Sequence, residues 1–129
     1  MRKSTVVSMN APGAIGPYSQ AIKTDSLVFV SGQLPMDPVS GELIQGNIKD
    51  ATRQALKNLK EILTSAGSSL DSVVKTTLFI TDMNNFSLVN EAYGEFFSDN
   101  APARACVEVS ALPKGAEIEV EAVALLNEL

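Results

Sequence analysis

Two stretches near the C-terminus of this 129-residue chain carry most of the groups able to do chemistry. In the first, Arg104, Cys106, Glu108 and Ser110 alternate with Ala105, Val107 and Val109. In the second, Glu117, Glu119 and Glu121 alternate with Ile118, Val120 and Ala122. Alternation is the period of an extended strand, whose successive side chains point to opposite faces. Paired as a hairpin, the two strands would turn their apolar sets to a covering layer and gather their polar sets on the far face. Arg104 offers a planar fork that holds a carboxylate by two hydrogen bonds. A partly desolvated glutamate beside it can orient or deprotonate a water. The pattern thus describes an anion pocket with a nearby base. It also describes a solvated strand face of alternating charge, the commoner outcome for such a sequence.

Other candidates carry a bland reading beside a functional one. Cys106 with Arg104 two residues away suggests an activated thiol, but a lone Cys is usually a small buried hydrophobe, and no His is present to activate it. Tyr18 follows Gly16 and Pro17, whose bend can hold the ring as a lid over a cleft; a core aromatic with a satisfied hydroxyl fits as well. Ser31-Gly32 closes a strand-like run, where Gly permits close approach of a ligand or relieves a bulge. Asn90 falls at a helical position that solvent alone could explain.

The chain contains no His and one Cys. A histidine base, a catalytic triad, a His-ligated metal, a Cys-rich metal site and an intrachain disulfide are therefore excluded. No metal site is expected. Gly13, Gly16 and Gly32 match neither nucleotide-binding fingerprint. A net charge of −5 and a pI near 4.6 argue against a dedicated nucleic-acid partner. The N-terminus has no apolar run of signal-peptide length, and no segment approaches the ~18 apolar residues of a membrane helix. With its Cys usage, a cytoplasmic protein free of membranes is expected.

The positioning elements follow from periodicity. Residues 1–129 read as one domain without repeats or linkers. Short strands are expected at Thr5–Val7, Ser19–Lys23 and Leu27–Ser31, with Asn10–Pro17 an ordered loop. Apolar or small residues at Ile48, Ala51, Ala55, Leu56, Leu59, Ile62, Leu63 and Ala66 form a helical stripe that Gly67 would cap. Val73–Thr81 reads as a strand. Phe86, Val89, Tyr93 and Phe96 or Phe97 define a second amphipathic helix, and Ala105–Ser110 and Glu117–Leu126 the last strands. The order β-β-β-α-β-α-β-β predicts an α+β layer, one sheet with both helices on one face. Its other face would be left bare, so a homo-oligomer is expected.

Several segments in the same order resemble one family. Ala11-Pro12-Gly13-Ala14-Ile15-Gly16-Pro17-Tyr18-Ser19-Gln20-Ala21 is similar to the N-terminal signature of the RidA (YjgF) family. Val28-Phe29-Val30-Ser31-Gly32-Gln33 and Val89-Asn90-Glu91-Ala92-Tyr93 resemble its next stretches. Pro102–Val109 followed by Ile118-Glu119-Val120-Glu121-Ala122 resembles its C-terminal signature, with Val120 where the family more often has Ile or Met. The resemblance implies a chorismate-mutase-like fold, a six-stranded mostly antiparallel sheet with two helices on one face, assembled as a homotrimer with clefts between subunits. It implies 2-iminobutanoate/2-iminopropanoate deaminase activity on a small 2-imino acid, giving a 2-keto acid and ammonia without a cofactor. It assigns Arg104 to the substrate carboxylate and Glu119 to the attacking water. Cys106 becomes a pocket residue acting mainly through its backbone, and Tyr18, Ser31, Gly32 and Asn90 further cleft positions. Two other functions stay open: an RNA-cleaving translation inhibitor, which the missing His and the negative charge disfavour, and a non-enzymatic small-ligand-binding regulatory module.

Overall fold

The computed structural model describes residues 2–127. Six strands, β1 (Ser4–Val6), β2 (Ala21–Lys23), β3 (Leu27–Gln33), β4 (Val73–Ile80), β5 (Ala103–Glu108) and β6 (Ile118–Leu125), form one sheet in the order β1-β2-β3-β6-β4-β5. All neighbours are antiparallel except β4 and β5, which run parallel. A parallel pair needs a crossover, and α2 (Phe86–Gly94) supplies it. The expected α+β architecture is the observed one.

The long helix α1 (Ile48–Ala66) forms where its stripe requires. Asn47 caps its start, the side-chain oxygen accepting from the Asp50 N–H at 3.1 Å. Gly67 closes it in the left-handed conformation, φ 83°, which costs a glycine nothing. Leu56, Leu59, Ile62 and Leu63 are fully buried against Val28, Leu78, Ile118 and Val120 of the sheet. α2 packs beside α1 on the same face, with Val89 and Tyr93 in that core. It is shorter than its pattern suggests. Phe97 lies beyond its end yet stays buried, its ring 4.8 Å from that of Tyr93.

The hairpin expectation for the last two strands fails. β6 sits between β3 and β4, and β5 is an edge strand that touches only β4. A strand's alternation identifies its two faces but not its neighbour. The polar sets are accordingly split. Arg104, Cys106 and Glu108 pair with Thr76, Leu78 and Ile80, and these in turn with Ala122, Val120 and Ile118, so all lie on the helix face. Glu119 and Glu121 pair with Phe79 and Thr77 on the open face. Ala105 and Val107, expected toward the helices, share that open face instead. At the sheet edge the helix layer thins to α2, and polar side chains find partners there while the small apolar ones join a face that is itself apolar. Among the described residues, no helix is long and apolar enough to cross a membrane.

Candidate active site

A cleft of about 600 Å³ opens on the bare side of the sheet. Its walls come from the loop before β2 (Pro12, Ile15, Tyr18), the end of β3 (Ser31, Gly32), the stretch after it (Leu34, Met36), the turn at Pro113-Lys114, and the open face of β6 (Glu119, Glu121). Each wall is fastened. The buried Gln20 side chain accepts from the Ser8 N–H at 2.7 Å and donates to the Pro12 carbonyl at 2.8 Å, tying the loop to β2. Asn58 of α1 donates to the Leu34 and Met36 carbonyls at 3.1 and 2.9 Å. Gln45 donates to the Gly115 carbonyl and the Gly46 N–H donates to Glu117, anchoring the turn in which Lys114 adopts φ 61°.

Within this cleft β3 departs from regular alternation. Val30 pairs with Ala122 and Gln33 with Val120, so two β3 residues oppose one β6 residue. This is a β-bulge at Ser31-Gly32. The Ser31 hydroxyl donates to the Ser19 carbonyl at 2.6 Å. Glu119 lies against Gly32 and accepts no side-chain or backbone hydrogen bond from the described residues. Burial first, then the neighbouring Glu121 carboxylate, pushes its pKa above the ordinary glutamate value. Tyr18 is half-exposed at the rim, its hydroxyl accepting from the Ile15 N–H at 3.3 Å, so it lines the cleft and is not a core aromatic.

Arg104, Cys106 and Asn90 lie elsewhere. The Arg104 guanidinium is exposed at the β5 edge, stacked 4.9 Å from the Tyr93 ring centre and 5.5 Å from that of Phe86. It donates to the Asn90 side-chain oxygen at 2.7 Å, so Asn90 has a polar partner rather than solvent alone. No carboxylate pairs with Arg104 among the described residues. Tyr93 is itself fixed by a 2.7 Å hydrogen bond between its hydroxyl and that of Thr76. Burial pushes the Cys106 thiol up, with Arg104 opposing more weakly, which disfavours the thiolate a nucleophile needs.

The single chain therefore brings Tyr18, Ser31, Gly32 and Glu119 together and holds Arg104, Cys106 and Asn90 apart, across the sheet. The apolar cleft wall of Ile15, Leu34 and Met36 was not evident from sequence, because aliphatic residues in a loop carry no period. Lys114 was equally hidden; its only signal was its place between Pro113 and Gly115.

Together the fold and cleft define a class: small α+β domains with an open sheet whose bare face carries a carboxylate-lined cleft. The family model described as Endoribonuclease L-PSP matches residues 8–126. The chain belongs to that family, the YjgF/RidA family its motifs resemble. It is 50% identical over 127 residues to the human 2-iminobutanoate/2-iminopropanoate deaminase, covering 98% of this chain and 93% of that protein. The solved structure of a putative endoribonuclease from Thermotoga maritima MSB8 superposes with a TM-score of 0.95 at 49% identity, covering 99% of this chain and 100% of that one. That of E. coli TdcF with bound serine gives 0.92 at 42% identity, covering 96% and 99%.

Proposed function

We propose that this protein is a 2-iminobutanoate/2-iminopropanoate deaminase of the cytoplasm whose active site is completed between copies in a homotrimer. The observation that carries this reading is the placement of an unpaired guanidinium and an unpaired, partly buried carboxylate on opposite faces of one sheet. Among the described residues, neither has its complement within one chain. A second copy that brings its β5 edge, with Arg104, Cys106 and Asn90, to the Glu119 cleft of the first supplies both. In a closed ring of three, every cleft is filled this way. The bare face, with Phe29, Val107 and Leu125 exposed, gives the ring an apolar contact surface.

The chemistry follows from the two groups. Arg104 grips the carboxylate of the 2-imino acid and fixes its electrophilic carbon over the cleft. Glu119 orients a water and takes its proton as the oxygen bonds to that carbon; the C=N electron pair passes to nitrogen, which receives the proton. The carbinolamine then collapses. Glu119 takes the hydroxyl proton and returns it to the amino nitrogen; the oxygen electron pair forms the carbonyl as the C–N bond breaks, and its electrons leave with ammonia. A 2-keto acid remains, and atoms and electrons balance without a cofactor. The raised proton affinity of Glu119 suits a group that takes and returns a proton in each step. Cys106 contributes bulk and backbone beside Arg104. RNA cleavage fits less well: a cleft with two carboxylates in a chain of net charge −5 repels phosphate.

The test is 2-keto acid release in an assay fed by a threonine dehydratase. Arg104→Ala is expected to lower the rate about 30- to 1000-fold, the loss of a bidentate ligand worth roughly 2–4 kcal/mol. Arg104→Ala and Glu119→Gln subunits, each impaired alone, are then mixed and reassembled. On the order of a quarter of the seams should regain both groups by random pairing. No recovery on mixing would rule out a shared site.

A further inference from the structure

We propose that Gly32 is a positioning residue: its missing side chain, turned toward the open face by the bulge in β3, leaves the slot that holds the Glu119 carboxyl. The kinetic part rests on the deaminase reading; the structural part does not. In a regular strand position 32 would share the face of Val30, which is buried toward the helices. The extra residue between the Val30–Ala122 and Gln33–Val120 pairs breaks that alternation. The direction a side chain would take at 32 now leads into Glu119. A Cβ there would stand 2.6 Å from the Glu119 carboxyl carbon and 2.9 Å from its Cγ, distances no real contact sustains. The clash is with the reacting end of the side chain and with the methylene that aims it. Gly32 therefore sets both where the carboxyl sits and how far backbone shields it from water. Of the eight glycines in the chain, none other has a virtual Cβ closer than 3.9 Å to a neighbouring group.

A two-site cycle tests this. In the first arm, melting temperatures are measured for Gly32→Ala, Glu119→Ala and the double variant. Gly32→Ala is expected to lower the melting temperature in the wild-type background and to leave it unchanged or raised when Glu119 is already Ala. Equal effects in the two backgrounds would overturn the slot. This arm is read on folded protein whether or not it turns over substrate. Should Gly32→Ala fail to fold, recovery of folding in the double variant carries the same meaning, and failure there overturns the proposal. In the second arm, Gly32→Ala is expected to lower kcat about 10- to 100-fold, as a displaced catalytic group does, with the Kd of 2-oxobutanoate within about threefold of wild type. Glu119→Asp, one methylene shorter, fits beside an alanine methyl, so Gly32→Ala with Glu119→Asp should lose less than the product of the single losses. Weakened 2-oxobutanoate binding with kcat retained would instead make Gly32 a ligand-approach position and sink the proposal. Loss of the reading alone appears differently: wild type without deaminase activity, and a coupled melting cycle.

Discussion

On the helix side of the sheet Val28, Leu78, Ile80, Ile118 and Val120 are wholly buried, whereas on the other side Phe29, Val107 and Leu125 stand 45%, 41% and 48% exposed. The first face is finished within the chain. Each fully buried aliphatic side chain contributes roughly 1.5–3 kcal/mol there, and both helices exist to cover it. The second face is apolar without a cover, and it holds the cleft and its carboxylates. Burial is thus concentrated on the helix side, whereas Glu119 and its cleft lie on the other. Residues buried on the covered face should govern whether the chain folds; under the proposed reading, those on the open face, with the exposed Arg104 at the β5 edge, should govern whether it assembles and works.

The sharpest way to break that contrast is Phe29→Lys, which plants a charge among exposed apolar neighbours without touching the core. It should leave the melting transition of the chain cooperative, reduce the proposed trimer to single chains by light scattering, and lower the proposed deaminase activity about 100-fold or more. A trimer that survives with full activity would mean the open face is not the contact. Next in size, Leu59→Ala on the covered face should cost about 2–5 kcal/mol of unfolding free energy, with the activity of the folded fraction retained. Tyr93→Phe strands the buried Thr76 hydroxyl and should cost about 1–2 kcal/mol in denaturant titration. Because the ring under Arg104 remains, its KM should change little.

The smallest effects are electrostatic. Ionised Glu119 is disfavoured in the folded chain, so it subtracts stability once pH exceeds the ordinary glutamate value of 4.5, and the deficit grows until pH passes the raised folded value. Glu119→Gln should therefore melt slightly above wild type at neutral pH, and the two should converge as pH falls below 4.5. The acid limb of the kcat profile should likewise lie above the ordinary glutamate range. Glu121→Gln should move it downward, because a like charge is removed. A limb indifferent to Glu121 would leave burial as the sole cause.

Much of the fold was legible because period carries it. The α1 stripe, the β-branched run of β4 and the alternation of β6 all stand where sequence places them. Strand partnership was not legible, since Arg104 and Glu119 alternate in the same way whether β5 joins β6 or β4. Nor was the face of the edge strand, because the rule that apolar residues turn inward fails where both sides of a sheet are apolar. The Ser31-Gly32 bulge was foreseen as one of two uses of that glycine. Its link to Glu119 needs the β3–β6 register, which local sequence does not state.

Because Arg104 and Glu119 sit on opposite sides of one sheet, under the proposed reading a solitary chain at high dilution holds both reagents and no reaction centre. Specific activity should then climb with protein concentration until association saturates, and a surplus of chains crippled in either group would depress the output of intact ones by occupying places beside them.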